Sequence, residues 1–223
     1  MEPKPKLVQR LDQIERVSEG KSVLHLGCTN WPYTQQAIDA DMLLHKALAA
    51  KASELYGFDF DQEGIDLLSA NGFTNLYRAD LENLDAVALD KKFDVIIAGE
   101  MIEHLNNPGR FLEGIKRFMH SESKLVLTTI NAYSGMRFFV YGFRGGGGTV
   151  EPVHPDHVAY YSYSTLRLVL ERHSFRIDDF MFYDLGIEHR PHNSRLRNFI
   201  NDVCVKLAPQ WADGVIAVCS LKP

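Results

Sequence analysis

Cysteine is scarce in this chain of 223 residues. Three occur, Cys28, Cys204 and Cys219, an odd number without metal-ligand spacing. That excludes a disulfide framework and a thiolate metal cluster, and it fits reduced thiols in the cytoplasm. An excess of positive charge is also missing. The formal net charge is -5 at a pI near 6.0, so no general basic field exists to hold nucleic acid or an anionic membrane surface. No apolar run approaches the ~20 residues that span a bilayer, and Pro3 to Glu19 is too charged for a secretory leader. Membrane insertion is therefore not expected. No internal repeat is visible. Glycine fails at one particular place: after Gly27, where a dinucleotide loop would carry two more, the chain has Cys28, Thr29, Asn30 and Trp31.

What is present is an ordinary globular mix, 45% hydrophobic and 24% charged. Leu7, Val8, Leu11, Ile14 and Val17 predict an N-terminal helix ending near Gly20. Short apolar runs at 22–26, 54–58, 75–79, 93–98 and 124–129 then alternate with helical patterns at about 33–51, 62–71 and 108–120. Continuous apolar strands separated by helices predict a parallel α/β sheet covered on both faces, with ligands bound at the carboxyl ends of its strands. The pattern changes after Thr129. Residues 131–160 are rich in aromatics, glycine and histidine. A helix at about 163–173, a strand near 176–184 and a last strand at 214–221 follow.

Acidic residues follow consecutive strands: Asp59, Asp80, then Glu100 with Glu103. Each alone reads more readily as a helix cap. On one βα series they read as a nucleoside site, with Asp59 accepting from both ribose hydroxyls and Asp80 from an exocyclic amine.

At these residues the sequence resembles the class I S-adenosylmethionine-dependent methyltransferases, over about residues 20 to 185. It is closest to the type 11-like branch that holds ubiquinone and menaquinone biosynthesis-like enzymes and many glycan or natural-product methyltransferases. "VLHLGC", "GFDFD", "ADLENL" and "FDVIIAGEMIEHLNNPGRFLEGI" resemble that family's first four motifs, and "KLVLTTINAYS" its fifth strand. The resemblance implies a single domain over 1–223 with a Rossmann-like, doubly wound, seven-stranded, mostly parallel sheet. Its one antiparallel strand would come from a C-terminal hairpin, and variable cover segments would lie at about 131–160 and 186–213. It implies S-adenosylmethionine as cofactor, with Gly27 and Cys28 at the methionine end and Asp59 with Phe60 at the ribose. Asp80 and Leu81 would meet the adenine, and Glu100 would lie in the loop near the sulfonium. The family usually has an acidic residue where His25 stands and a second glycine near Thr29 or Trp31. Since the cofactor carries no pyrophosphate, Gly27 alone can admit it.

For the chemistry, His104, His154 and His157 are the candidate proton acceptors, while His25 reads as a buried residue supporting the turn. His154, Asp156 and His157 also admit a metal reading, but their spacing does not fit one helix face, and no metal is expected. Tyr133, Tyr141, Phe143, Tyr160, Tyr161 and Tyr163 read either as an acceptor wall or as a lid's own small core. Gly145 to Gly148 reads as a hinge or a disordered tip, and Arg190, Arg195 and Arg197 as a solvated helix face or an anion site. The expected reaction is O-methylation of a sugar-like or other small polar acceptor, a small molecule or glycan and no nucleic acid. The alternatives are a non-catalytic methyltransferase-like binding protein and a nicotinamide-dependent short-chain reductase. The latter lacks its Tyr-x-x-x-Lys pair, with Arg167 four residues after Tyr163.

Overall fold

A computed structural model describes residues 5–151, 154–186, 190 and 193–222. The five expected strands form β2 (Ser22–Leu26), β3 (Glu54–Asp59), β4 (Leu76–Arg78), β5 (Phe93–Gly99) and β6 (Met119–Ile130). The last two strands are β7 (Phe175–Tyr183) and β8 (Gly214–Leu221). The expected seven are joined by a two-residue edge strand, β1 (Leu7–Val8), parallel to β7. Leu7 and Val8 thus leave the predicted helix, which begins at Arg10 as α1 (Arg10–Ser18). Two apolar residues ahead of a helical pattern keep its phase, so periodicity alone does not separate them.

Among the described residues the sheet has eight strands in the order β1-β7-β8-β6-β5-β2-β3-β4. All neighbouring pairs are parallel except those of β8, which runs antiparallel to both β6 and β7. The strand order reverses between β2 and β5, and that switch point opens a crevice at their carboxyl ends. Alternation along β5 explains its continuous apolar run. Ile96 and Ala98 enter one core with Leu24, Phe58 and Leu127, while Val95 and Ile97 enter the other with Ile14, Leu48 and Val126. Phe58 and Phe118 meet edge to face at 5.3 Å and are fully buried. Truncating either to alanine removes about 3–5 kcal/mol of packing.

Caps set the helices. Asp61 accepts from Gly64 N to start α4 (Gln62–Ala70), and Asn107 accepts from Arg110 N ahead of Pro108 to start α5 (Pro108–Ile115). Ser162 and Thr165 form a capping box at α7 (Tyr163–Arg172). The long helix expected at 33–51 is instead two short ones, α2 (Thr34–Asp39) and α3 (Leu44–Ala49), with Asp41 between them at φ 57°. The pattern at 108–120 ends sooner than expected, because Met119 already pairs with Phe93 in the sheet. The aromatic segment holds α6 (Gly135–Arg144), which packs on α8 (Arg195–Leu207), and Gly146–Gly148 form a short 3-10 turn. Residues 152–153, 187–189 and 191–192 of the expected cover segments lie outside the described residues. Among the described residues, no helix is long and apolar enough to cross a membrane.

Candidate active site

The loops leaving β2, β3, β4 and β5 converge at the switch-point edge. Gly27 closes β2 with φ +71°, donating its N–H to Phe58 O at 2.9 Å. Nothing lies within 4 Å of the position its Cβ would take, so a side chain would be strained and would also fill the open space. Cys28 is placed differently. Its side chain is buried with Ala37, Leu43 and Leu68, and burial followed by the nearby Asp59 charge pushes its thiol well above the ordinary value. Only its backbone remains for a ligand. His25 is buried in β2 with Nδ1 3.2 Å from His45 Nδ1, the rings stacked at 5.4 Å. Burial lowers the pKa of both, that of His45 to about 4.

Asp59, buried at the end of β3, ties two loops together. Its Oδ2 accepts from Thr29 N at 2.9 Å and its Oδ1 from Asp61 N at 3.0 Å. Each oxygen keeps a second lone pair for a ligand hydroxyl. Phe60 is exposed, with the Arg78 guanidinium 5.1 Å from its ring centroid. Asp80 accepts from Glu82 N at 2.8 Å, and Leu81 packs against the core. A cavity of about 470 Å³ joins Phe60 and Asp80 to Glu82, Asn83, Asn106 and Arg110. The sequence reading missed those last four. Only the asparagine-proline pair within the fourth motif pointed there.

Glu100 follows β5 with φ 53°, a backbone conformation costing about 1–3 kcal/mol for a residue with a side chain. Its N–H donates to Thr128 O at 2.9 Å, and its carboxylate accepts from the Tyr183 hydroxyl. Tyr183 is buried, and burial followed by the Glu100 charge holds its pKa well above the usual phenol value. Its ring lies against Gly214, where a Cβ would stand 1.9 Å from Tyr183 Cζ. Arg10 of α1 also reaches this edge, with Nη1 3.5 Å from the position of a Gly99 Cβ. Neither Tyr183 nor Arg10 carried a sequence signal.

Glu103 is fully buried, accepting from Thr129 Oγ1 at 2.9 Å, and burial, then Glu100, raises its pKa. Its backbone carbonyl accepts from Val158 N at 2.9 Å and Ala159 N at 3.3 Å. Those two bonds carry residues 154–159 onto the exit of β5, placing His154 and His157 beside His104. Ring centroids are 4.6 Å apart for His104 and His157, 5.8 Å for His104 and His154, and 5.6 Å for His154 and His157. Burial lowers the pKa of His104 and brings that of His157 to about 4. Arg137 borders the cluster from α6 and is held by Asp213 through two 3.0 Å bonds.

The aromatic set divides. Tyr133, Tyr141, Phe143, Tyr160 and Tyr163 are exposed, Tyr163 with its ring edge-on to Phe180 at 4.9 Å, whereas Tyr161 enters the main core. Arg190, still partly exposed, is engaged by Asp184 at 2.9 Å and Asp202 at 2.7 Å, which ties it to α8.

A family model described as a methyltransferase domain matches residues 5–179. A ubiquinone biosynthesis O-methyltransferase of Actinobacillus pleuropneumoniae serotype 7 (strain AP76) is 28% identical over 133 residues, 55% of this chain and 52% of the relative. A protein of the same description from serotype 5b (strain L20) is 27% identical over the same length. The chain spans about half the length of these curated relatives. Among solved structures, a SAM-dependent methyltransferase from Archaeoglobus fulgidus superposes with TM-score 0.58 at 20% identity, covering 96% of this chain and 91% of that one. Magnesium protoporphyrin IX methyltransferase from Synechocystis PCC 6803 with bound SAH gives 0.57 at 14% identity, covering 95% and 82%. These two likenesses concern the fold.

Proposed function

The chain belongs to the methyltransferase-domain family, and from that premise we propose that it moves the methyl group of S-adenosylmethionine to a hydroxyl oxygen of a small polar, sugar-like acceptor. The observation that carries this reading is the convergence, at one sheet edge, of an open nucleoside cradle and a histidine cluster. The cradle fits the cofactor. Space stands open over Gly27, and Asp59 is fixed by two backbone donors with lone pairs to spare. A cavity also adjoins Phe60 and Asp80.

Gly27 and the Cys28 backbone would hold the methionine end. Asp59 and Phe60 would hold the ribose, and Asp80 with Leu81 the adenine, while Glu100 would order the loop beside the sulfonium. When bound, S-adenosylmethionine would supply an electrophilic methyl carbon with a neutral thioether as leaving group, for displacement by an acceptor oxygen. His104, His154 and His157 meet the acceptor hydroxyl and draw off its proton. Residues 131–160 and 186–213 would cover the acceptor and exclude water, within one domain. The curated relatives are O-methyltransferases by description, which supports oxygen as the acceptor atom. Three free, buried cysteines suit the reducing cytoplasm.

Calorimetry with S-adenosylmethionine, followed by mass analysis of hydroxylated acceptors, tests the reading. Binding is expected, and His104→Ala or His157→Ala lowers kcat by about 10²–10⁴-fold with cofactor affinity intact. Absence of binding, or a methyl group found on nitrogen or carbon, overturns it.

A further inference from the structure

We infer that His104, His154 and His157 form a three-nitrogen site for a divalent transition ion, zinc foremost, whose open positions take the acceptor hydroxyl. One nitrogen from each ring lies within 4.8 Å of the others. Two imidazoles on a tetrahedral zinc, each at about 2.1 Å, stand roughly 3.4 Å apart, so small side-chain rotations close the set. Metal-free, the cluster is costly: three rings crowd together, and His157 Nδ1 is buried with no hydrogen-bond partner among the described residues. An ion would give such a nitrogen a partner.

The surroundings are those of a metal site. Asp156 holds two of the three rings through its backbone: its N–H donates to His154 Nδ1 at 3.3 Å, and its backbone also bonds the His104 ring. Backbone partners of histidine rings fix the orientation in which they meet an ion. The segment bearing His154 and His157 is pinned by the two bonds to the Glu103 carbonyl, so the set is held by the main chain. Glu100 supplies nearby negative charge, while Asp213 neutralises Arg137. The all-imidazole donor set selects zinc, cobalt, nickel or ferrous iron over magnesium or calcium, which want oxygen ligands. Three protein ligands leave room for an exchangeable one, the arrangement of catalytic zinc sites. Glu103 is outside the set, because its carboxylate is turned into the core onto Thr129.

The inference rests on the methyltransferase reading for where the acceptor binds, and it replaces direct proton transfer to the rings: a hydroxyl on the cation loses its proton more readily, and that proton passes to solvent while the ring nitrogens stay on the ion. The test is metal uptake by the full chain. Titration of chelator-stripped protein with cobalt(II) alone, read by visible absorption, is expected to show one tight equivalent that zinc(II) displaces. His154→Ala, at an exposed position, and His157→Ala should each weaken uptake by at least about 10-fold, with the fold checked by circular dichroism. No uptake by the wild type, or equal uptake by the His154→Ala/His157→Ala double variant, overturns the inference. Full turnover by the stripped enzyme, with S-adenosylmethionine still bound, overturns the metal while leaving the methyltransferase reading intact. Loss of cofactor binding from metal-loaded protein would instead overturn that reading.

Discussion

Tyr183 of β7 donates its hydroxyl to the carboxylate of Glu100, joining the sheet's far side to the loop after β5. The bond crosses β8 and β6, and it holds a residue whose backbone is itself in the left-handed region. Tyr183→Phe deletes a donor to a half-buried carboxylate, and a loss of about 1.5–3 kcal/mol is expected in urea unfolding with an unchanged slope. A midpoint equal to wild type would show that Glu100 does not depend on the phenol.

Asp59 anchors Thr29 and Asp61 and is proposed to meet the cofactor's ribose. Asp59→Ala removes a charge-assisted acceptor and slackens both loops, so S-adenosylmethionine affinity should fall by about 2–3 kcal/mol, read by calorimetry. Asp59→Asn keeps one acceptor oxygen and should fall between the two. Wild-type affinity in Asp59→Ala would remove this residue from the cradle.

The stacked His25 and His45 pair sets an acid limit on stability. Burial comes first among the causes, followed for His25 by the charges of His45 and Arg10, and both folded pKa values lie below the unfolded value near 6.5. A lowered histidine pKa means that its stabilising contribution is complete above about pH 6.5 and is lost as pH falls toward about 4. Unfolding free energy should drop across that window, by about 3 kcal/mol from His45 alone and further with His25. His25→Leu/His45→Leu should make the profile shallower, leaving the share of His104 and His157, whose values are lowered as well. A slope unchanged by the double change would assign the acid limit elsewhere.

Arg137 and Asp213 form a largely buried, two-bond ion pair between α6 and the turn before β8. Arg137→Ala strands the Asp213 carboxylate, and a cost of about 3–5 kcal/mol is expected in thermal or urea unfolding. Arg137→Ala/Asp213→Asn should recover part of it. Additive losses in the two single variants would show that the pair does not act as a unit.

The sheet was legible in the sequence because its strands are covered on both faces, and "FDVIIAG" cannot read as anything half-exposed. Boundaries were harder. Met119 continues the helical phase of α5, and only its pairing with Phe93 makes it a strand residue. In the candidate site, Gly27, Asp59, Asp80 and Glu100 could be read because each stands at or just past the end of a strand. Tyr183 lies 83 positions from Glu100, and Arg10 comes from a helix that carried no motif. Such partners are chosen by packing, which leaves no local mark. The histidine cluster fell between these cases. Its members were visible, but their meeting depends on a backbone carbonyl, that of Glu103, whose identity as an acceptor no side chain announces.

The place of β8 governs the order in which this protein can assemble. β8 is inserted between β6 and β7 although it follows both along the chain. Until residues 214–221 emerge from the ribosome, β6 and β7 have no partner between them, and each presents an unpaired edge in a largely apolar strand. The parallel unit from β2 to β6 can gather as it is made, whereas the Glu100 loop must wait for Tyr183 to be seated against Gly214. Synthesis arrested before Gly214 would therefore yield a nascent sheet with an aggregation-prone border and an unbraced Glu100 loop, and chaperone demand should peak just ahead of that point.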